Sequence, residues 1–168
     1  MRMTATTVTS QPLRTGRKVL ALAGWLLLCF AAAAFGSLFL PGEWYAQLNK
    51  PSWNPPNWIF GPVWTALYTM MAVAAWLVWC RGGFARQRVP LGLFLLQLLF
   101  NAAWSTLFFG LHHPGLAFVE ILLLWFAILG TAIAFWKVQR FASLLLLPYL
   151  AWVSFAAILN FTLWQLNR

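Results

Sequence analysis

The stretch that decides the fold is residues 19–40, VLALAGWLLLCFAAAAFGSLFL, an apolar run of 22 residues without a charge. A helix that crosses a bilayer needs about 20 predominantly apolar residues. Arg14, Arg17 and Lys18 precede the run, so a cleaved signal peptide is the alternative interpretation. The run is longer than the apolar region typical of such peptides, which favours a membrane-spanning helix.

Four further apolar runs follow, and three of them begin with proline, which suits the first turn of a helix because the amide there has no partner. The runs are residues 62–80, 90–110, 114–136 and 141–166. Pro148 lies inside the last run and predicts a kink there. The sequence therefore predicts an all-α bundle of five transmembrane helices in a single domain, residues 19–168, after a basic amino-terminal arm, residues 1–18.

The composition agrees with a membrane protein and excludes an ordinary soluble domain. Hydrophobic residues make up 62% of the chain and charged residues 8%, whereas soluble domains carry about 25% charged residues. The net charge of +9 would suggest nucleic acid in a soluble protein, but the basic residues here lie between apolar runs. We therefore expect a lipid bilayer and no nucleic acid as partner. Cys29 and Cys80 lack the spacing of metal ligands, so no metal site is expected.

The basic residues are distributed unevenly between the two ends of the predicted helices. The end that carries the amino terminus has most of them: Arg2, Arg14, Arg17, Lys18, Arg81, Arg86, Arg88, Lys137 and Arg140. The other end has Lys50 and Arg168. Because positive residues accumulate on the cytoplasmic side, the pattern predicts a multi-pass protein with a cytoplasmic amino terminus and an outside carboxyl terminus in a cytoplasmic membrane.

The connection between the first two runs, residues 41–61, reads PGEWYAQLNKPSWNPPNWIFG and is called the loop below. It is far longer than a helix-to-helix turn needs, and such connections are usually functional or disordered. Disorder requires few aromatic residues, whereas the loop is rich in tryptophan and proline. The composition predicts an ordered aromatic lid over the outer mouth of the bundle, with an interfacial aromatic belt as the alternative.

Three segments of the chain carry a resemblance to a known family. They are WYAQLNKPSWNPPNWIFGPVWTALY at 44–68, FNAAWSTLFFG at 100–110 and PYLAWVSFAAILNFTLWQLN at 148–167. Together they closely resemble the signature of the TspO/MBR family of tryptophan-rich sensory proteins, which includes the translocator protein or peripheral benzodiazepine receptor. The resemblance extends from about Leu20 to Asn167.

Polar and aromatic residues inside the runs predict a cavity independently of the resemblance. Gln97, Asn101 and Ser105 share one helix face. Trp64 and Tyr68 lie one turn apart on another helix, and Tyr149, Trp152, Ala156 and Asn160 form a third face. These faces below an aromatic lid suit a flat, largely apolar ligand. Helix packing and interhelical hydrogen bonds are the alternative.

The resemblance assigns particular residues to a pocket that binds porphyrins and benzodiazepine-type compounds. By motif position the ligand-binding residues are Tyr45, Pro55, Trp64, Tyr68, Asn101, Trp104, Trp152 and Ala156. The resemblance requires no cofactor, although a porphyrin or heme-type ligand is possible. It also implies a homodimer, for which Ala32-xxx-Gly36 and Gly130-xxx-Ala134 would permit close helix approach.

Two questions remain open from the sequence. Glu120 is the only acid inside a run, and it either reaches water or faces the interior. The leading functional hypothesis is a membrane sensory or translocator protein that binds tetrapyrroles. The alternative is light- and oxygen-dependent porphyrin degradation, in which Trp64 and Trp152 would be the catalytic pair, and a transporter ranks third.

Overall fold

A computed structural model describes residues 15–168. Most of the predicted basic arm, including Arg2 and Arg14, therefore lies outside the described residues. Residues 15–18 belong to the first helix rather than to a separate arm.

The described residues form α-helices and no strand. The helices are α1 (Thr15–Gly36), α2 (Glu43–Gln47), α3 (Phe60–Trp79), α4 (Gly83–Ser105), α5 (Pro114–Val138), α6 (Arg140–Leu144) and α7 (Leu147–Leu166). A 3₁₀ turn, Asn57–Ile59, leads into α3, and a π-helical turn, Thr106–Gly110, continues α4. Five helical units are long and apolar enough to span a membrane, which confirms the predicted all-α fold with five transmembrane helices.

The first helix is displaced from its predicted limits of 19–40 to Thr15–Gly36. The prediction began at the first uncharged residue, but Arg17 and Lys18 are good helix formers and extend α1 backwards. At the other end, Ser37 donates its hydroxyl to the Ala34 carbonyl at 2.7 Å. Apolarity therefore marked the membrane segment correctly, but not the helix ends.

Proline positions explain the other two departures from the predicted limits. The helix predicted at 90–110 begins at Gly83 and is kinked at Gln87, three residues before Pro90, because Pro90 offers no amide to the preceding turn. The run predicted as one helix at 141–166 is divided into α6 and α7. Pro148 lies in the first turn of α7, so the predicted kink is a complete break. The helices predicted at 62–80 and 114–136 agree within about two residues.

In the bundle, α1 packs against α3 and α4, and α5 packs against α4 and α7. Gly36 is in close contact within the chain, because a Cβ atom there would lie 3.3 Å from the Ser105 hydroxyl oxygen. In the predicted dimer motif Ala32-xxx-Gly36, the residue Gly36 therefore packs against α4 of the same chain. At Gly130, an added Cβ atom would have no neighbour within 4 Å among the described residues.

The loop packs on one end of the bundle, called the loop end below. Tyr45 of α2 is buried there, and Trp44 stacks on His112 of the α4–α5 turn with ring centroids 4.4 Å apart. Trp53 contacts Phe155 of α7 edge to face at 5.9 Å. The loop thus rests on residues from both α7 and the α4–α5 turn.

A pair of asparagines fastens the loop to the end of α7, and we call this pair the latch. The Asn49 amide N–H donates to Asn167 Oδ1 at 2.8 Å, and Asn167 Nδ2 donates to the Asn49 carbonyl at 3.0 Å. The same Nδ2 also donates to the Leu163 carbonyl at 2.8 Å. One side chain therefore ties the loop to the last turn of a membrane-spanning helix.

Replacing Asn167 by alanine is expected to speed amide hydrogen exchange in residues 44–54 by about tenfold. Two hydrogen bonds are lost, each worth about 0.5–1.5 kcal/mol, and opening of the loop becomes easier by a similar amount. Hydrogen exchange with mass spectrometry in nanodiscs measures this. Gln165→Ala in the same helical turn is the control, and equal exchange in both variants would show that the latch does not hold the loop.

Candidate functional site

A narrow cavity, called the slot below, lies under the loop at the loop end. Its volume is about 40 Å³. It is lined by Tyr45, Phe60, Trp104, Phe108, Phe109, Trp152, Phe155, Ala156, Leu159, Asn160 and Leu163. Ligand pockets usually measure about 300–1,000 Å³, so this structure shows the slot closed.

Four of the eight predicted binding residues line the slot: Tyr45, Trp104, Trp152 and Ala156. They come from three different elements, since Tyr45 lies in α2, Trp104 in α4, and the other two in α7. Pro55 lies outside the slot, in a second cavity described below. Trp64, Tyr68 and Asn101 do not line the slot.

The π-helical turn brings two consecutive phenylalanines to the slot. Phe108 stacks on Trp104 at 5.1 Å between centroids, and Phe109 meets the same indole edge to face at 5.7 Å. Both rings also contact Tyr45, at 6.3 and 5.5 Å. A π turn inserts one extra residue and is frequent at functional sites. Phe109 could not be predicted from the sequence, because a regular helix turns consecutive side chains about 100° apart.

The two indole N–H groups of the slot differ in their hydrogen bonds. Trp104 Nε1 donates to Asn160 Oδ1 at 3.0 Å, and Asn160 Nδ2 donates onward to the Pro114 carbonyl at 2.8 Å. Trp152 Nε1 is buried and has no hydrogen-bond partner among the described residues. A buried donor without an acceptor costs about 1–3 kcal/mol. Among the described residues, the Trp152 N–H is therefore a buried donor without an acceptor, in a residue that lines the slot.

The remaining predicted residues form a polar cluster deeper in the bundle. The Tyr68 hydroxyl donates to Asn101 Oδ1, and Asn101 Nδ2 donates to the Tyr149 hydroxyl at 2.9 Å. Trp64 covers this cluster, with its ring 5.4 Å from Tyr68 and 6.3 Å from Tyr149. The cluster joins α3, α4 and α7 through interhelical hydrogen bonds, and the assignment of Tyr68 and Asn101 to ligand binding stays a prediction.

Two other buried polar side chains have no hydrogen bond among the described residues. They are Gln97, one turn before Asn101, and Glu120 of α5. Glu120 is only 8% exposed, so it faces the interior rather than water. A polar group in this state is costly at membrane depth.

A second, larger cavity opens on the outer surface of the loop, and we call it the vestibule. Its volume is about 430 Å³. Its lining consists of Pro41, Gly42, Tyr45, Ala46, Lys50, Asn54, Pro55, Pro56 and Asn57. Tyr45 lines both cavities, and its ring contacts Lys50, which lines the vestibule, as well as Phe108 and Phe109, which line the slot.

The Tyr45 hydroxyl is fixed by one hydrogen bond, which it donates to Asn54 Oδ1 at 3.2 Å. Burial raises the pKa of the Tyr45 phenol. The bond to Asn54 lies within the loop, whereas the contacts of the Tyr45 ring with Phe108 and Phe109 join the loop to the bundle.

Fold and site together define a class: a five-span membrane protein with an aromatic slot under a folded loop. Residues 25–165 match the TspO/MBR family, and the chain belongs to that family. It is 48% identical over 156 residues to the tryptophan-rich protein TspO of Chlorobaculum tepidum, covering 90% of this chain and 98% of the relative. It is 47% identical over 138 residues to the human translocator protein, covering 79% and 82%.

A further relative is the tryptophan-rich sensory protein of Cereibacter sphaeroides, which is 38% identical over 143 residues. The match covers 85% of this chain and 89% of the relative. The family resemblance found in the sequence is thereby confirmed. The matched region contains the loop, the slot and the polar cluster. The family also places the chain in a lipid bilayer.

Proposed function

We propose that this protein binds a tetrapyrrole, or another flat and largely apolar ligand, in the slot beneath the loop, and acts as a membrane sensory or translocator protein. The observation that carries the proposal is the mainly aromatic lining of the slot, which includes Trp152, whose buried N–H has no partner among the described residues. Indole and phenyl faces stack on a planar ring, while the N–H meets a polar atom at its edge. No cofactor is needed for such binding.

Binding requires the loop to move, because the closed slot of about 40 Å³ is too small for a macrocycle. The contacts that must yield are the Tyr45–Asn54 hydrogen bond, the latch and the aromatic contact of Trp53 with Phe155. Each is individually weak, and all lie on one side of the slot. A lid of this kind opens on microsecond to millisecond timescales in other proteins.

The test is a titration of protoporphyrin IX, followed by its own fluorescence, against the protein in nanodiscs. Trp152→Ala is expected to weaken binding about tenfold to a hundredfold, since a stacking face and a hydrogen bond are both lost. Trp136→Ala is the control, because Trp136 lies outside the slot lining and is 48% exposed. Absence of saturable binding to the wild type would contradict the proposal outright.

The photochemical alternative has less support in the geometry. Trp152 lines the slot, but Trp64 does not, and Trp64 contacts Tyr68 and Tyr149 instead. A planar ligand in the slot would meet one of the two indoles directly. Porphyrin degradation and transport therefore remain predictions without a supporting contact.

We also propose that the loop end faces outward from a cytoplasmic membrane. Among the described residues, the opposite end carries Arg17, Lys18, Arg81, Arg86, Arg88, Lys137 and Arg140, and the loop end carries Lys50 and Arg168. This asymmetry supports a cytoplasmic amino terminus. A homodimer remains part of the proposal, and cross-linking in nanodiscs tests it.

A further inference from the structure

The vestibule contains one charged side chain, Lys50, whose position is fixed by the loop itself. Its Nζ donates to the carbonyls of Ala46 and Leu48 at 3.0 and 3.2 Å. The ammonium also lies over the Tyr45 ring, 4.8 Å from its centroid. A lysine ammonium has three N–H donors, so these contacts leave one of them for another acceptor.

Among the described residues, no acidic side chain lines the vestibule beside this ammonium. The whole chain has two acids, Glu43 and Glu120, and neither lines the vestibule. Glu120 is buried in α5. The other polar side chains of the lining are the amides of Asn54 and Asn57 and the Tyr45 hydroxyl. The cavity therefore presents a positive charge together with neutral hydrogen-bonding groups, which is complementary to an anion.

The shared wall between the two cavities connects this charge to the slot. Tyr45 borders the slot with its ring, against Phe108 and Phe109, and borders the vestibule beside Lys50. A ligand whose flat part occupies the slot would therefore have its edge at Tyr45. The vestibule borders the same residue, so it is the polar cavity next to that edge.

We propose that the vestibule is a subsite for a carboxylate of the ligand, which Lys50 binds while the ligand's apolar ring occupies the slot. This inference rests on the proposed function and adds a chemical requirement to it. A planar ligand with acidic side arms is preferred over the same ring with neutral arms. The phosphate of an anionic lipid has similar charge and is the competing occupant.

The test compares two ligands that share a ring, protoporphyrin IX and its dimethyl ester, in nanodiscs of phosphatidylcholine. The wild type is expected to bind the acid more tightly than the ester. Lys50→Gln is expected to weaken binding of the acid by about fivefold to tenfold, because a charge-assisted hydrogen bond is lost, and to leave the ester nearly unchanged. Added salt should reduce the preference for the acid in the wild type.

Controls separate charge from loop structure. Lys50 also donates hydrogen bonds to backbone carbonyls, so its replacement could loosen the loop. A loosened loop would change the affinities for both ligands together, whereas loss of the subsite changes only the affinity for the acid. Lys50→Arg should restore the preference, and Arg168→Gln should leave it unchanged, because Arg168 is a cation at the same end that lies over Trp164 and outside the vestibule.

The outcomes also distinguish this inference from the proposed function. If both ligands bind equally well and Lys50→Gln alters neither, the subsite is wrong and the slot proposal stands. If neither ligand binds, the proposed function fails as well. If the difference between wild type and Lys50→Gln disappears in phosphatidylglycerol nanodiscs, a lipid phosphate occupies the vestibule, which overturns the assignment to a ligand carboxylate.

Discussion

Ala156→Phe is expected to lower the affinity for protoporphyrin IX by about a hundredfold or more. Ala156 is the smallest side chain in the slot lining, where it lies next to Phe155 and one turn from Trp152. A cavity that binds benzene measures about 150 Å³, so a phenyl ring added to a slot of about 40 Å³ occupies all of the space. A ligand would then have to displace a packed aromatic ring, and overpacking of this kind costs about 1–3 kcal/mol in addition to the lost contacts.

The matched control is Ala151→Phe, which adds the same ring to an exposed position of the same helix. Both variants should keep their helical content, as measured by circular dichroism in detergent. Binding is measured by porphyrin fluorescence in nanodiscs. If Ala156→Phe binds protoporphyrin IX as tightly as Ala151→Phe does, the ligand does not enter the slot.

Asn101→Leu is expected to lower stability, whereas Gln97→Leu is expected to leave stability unchanged or to raise it, although the two residues lie one turn apart on α4. Asn101 joins the hydroxyls of Tyr68 and Tyr149, and its loss leaves both buried tyrosines without this partner. Each unsatisfied group costs about 1–3 kcal/mol, although hydrogen bonds inside membrane proteins average nearer 0.6 kcal/mol. We expect a net destabilisation of about 1–4 kcal/mol for Asn101→Leu.

Gln97→Leu removes an amide whose nitrogen and oxygen are both buried without a partner among the described residues. Replacement of such a group by an apolar one of similar shape is neutral or stabilising. Thermal or denaturant unfolding in a defined detergent compares the two variants. Equal destabilisation in both would mean that Gln97 has a partner, such as a buried water, and that the interior of α4 is wetter than these contacts indicate.

The number and kind of elements were predictable from the sequence, because the cost of exposing polar backbone and charge to hydrocarbon allows few solutions. Five apolar runs became five spanning units, and proline positions marked the changes of direction. Helix ends were less predictable. α1 extends through Arg17 and Lys18, because helix formation depends on backbone geometry and not on the hydropathy that marks the membrane boundary.

The candidate site was only partly predictable. Trp152 and Ala156 share a face of α7 and both line the slot, whereas Tyr68 and Asn101, which the family resemblance grouped with them, form the deeper polar cluster. Periodicity reports the face of a helix and not the depth at which neighbouring helices meet. Phe109 was missed because its direction depends on a π turn.

The sequence by itself determined that this chain is a membrane bundle of the TspO/MBR family with a tryptophan- and proline-rich loop, because these properties follow from composition, run length and motif. Only the tertiary structure decided that Tyr45 borders two cavities, that the Trp152 N–H has no acceptor among the described residues, and that neither Glu43 nor Glu120 lines the cavity that contains Lys50. These facts depend on how the loop, α4 and α7 meet in space. Contacts between distant segments are set by packing and by the satisfaction of buried polar groups, which no local pattern of residues specifies.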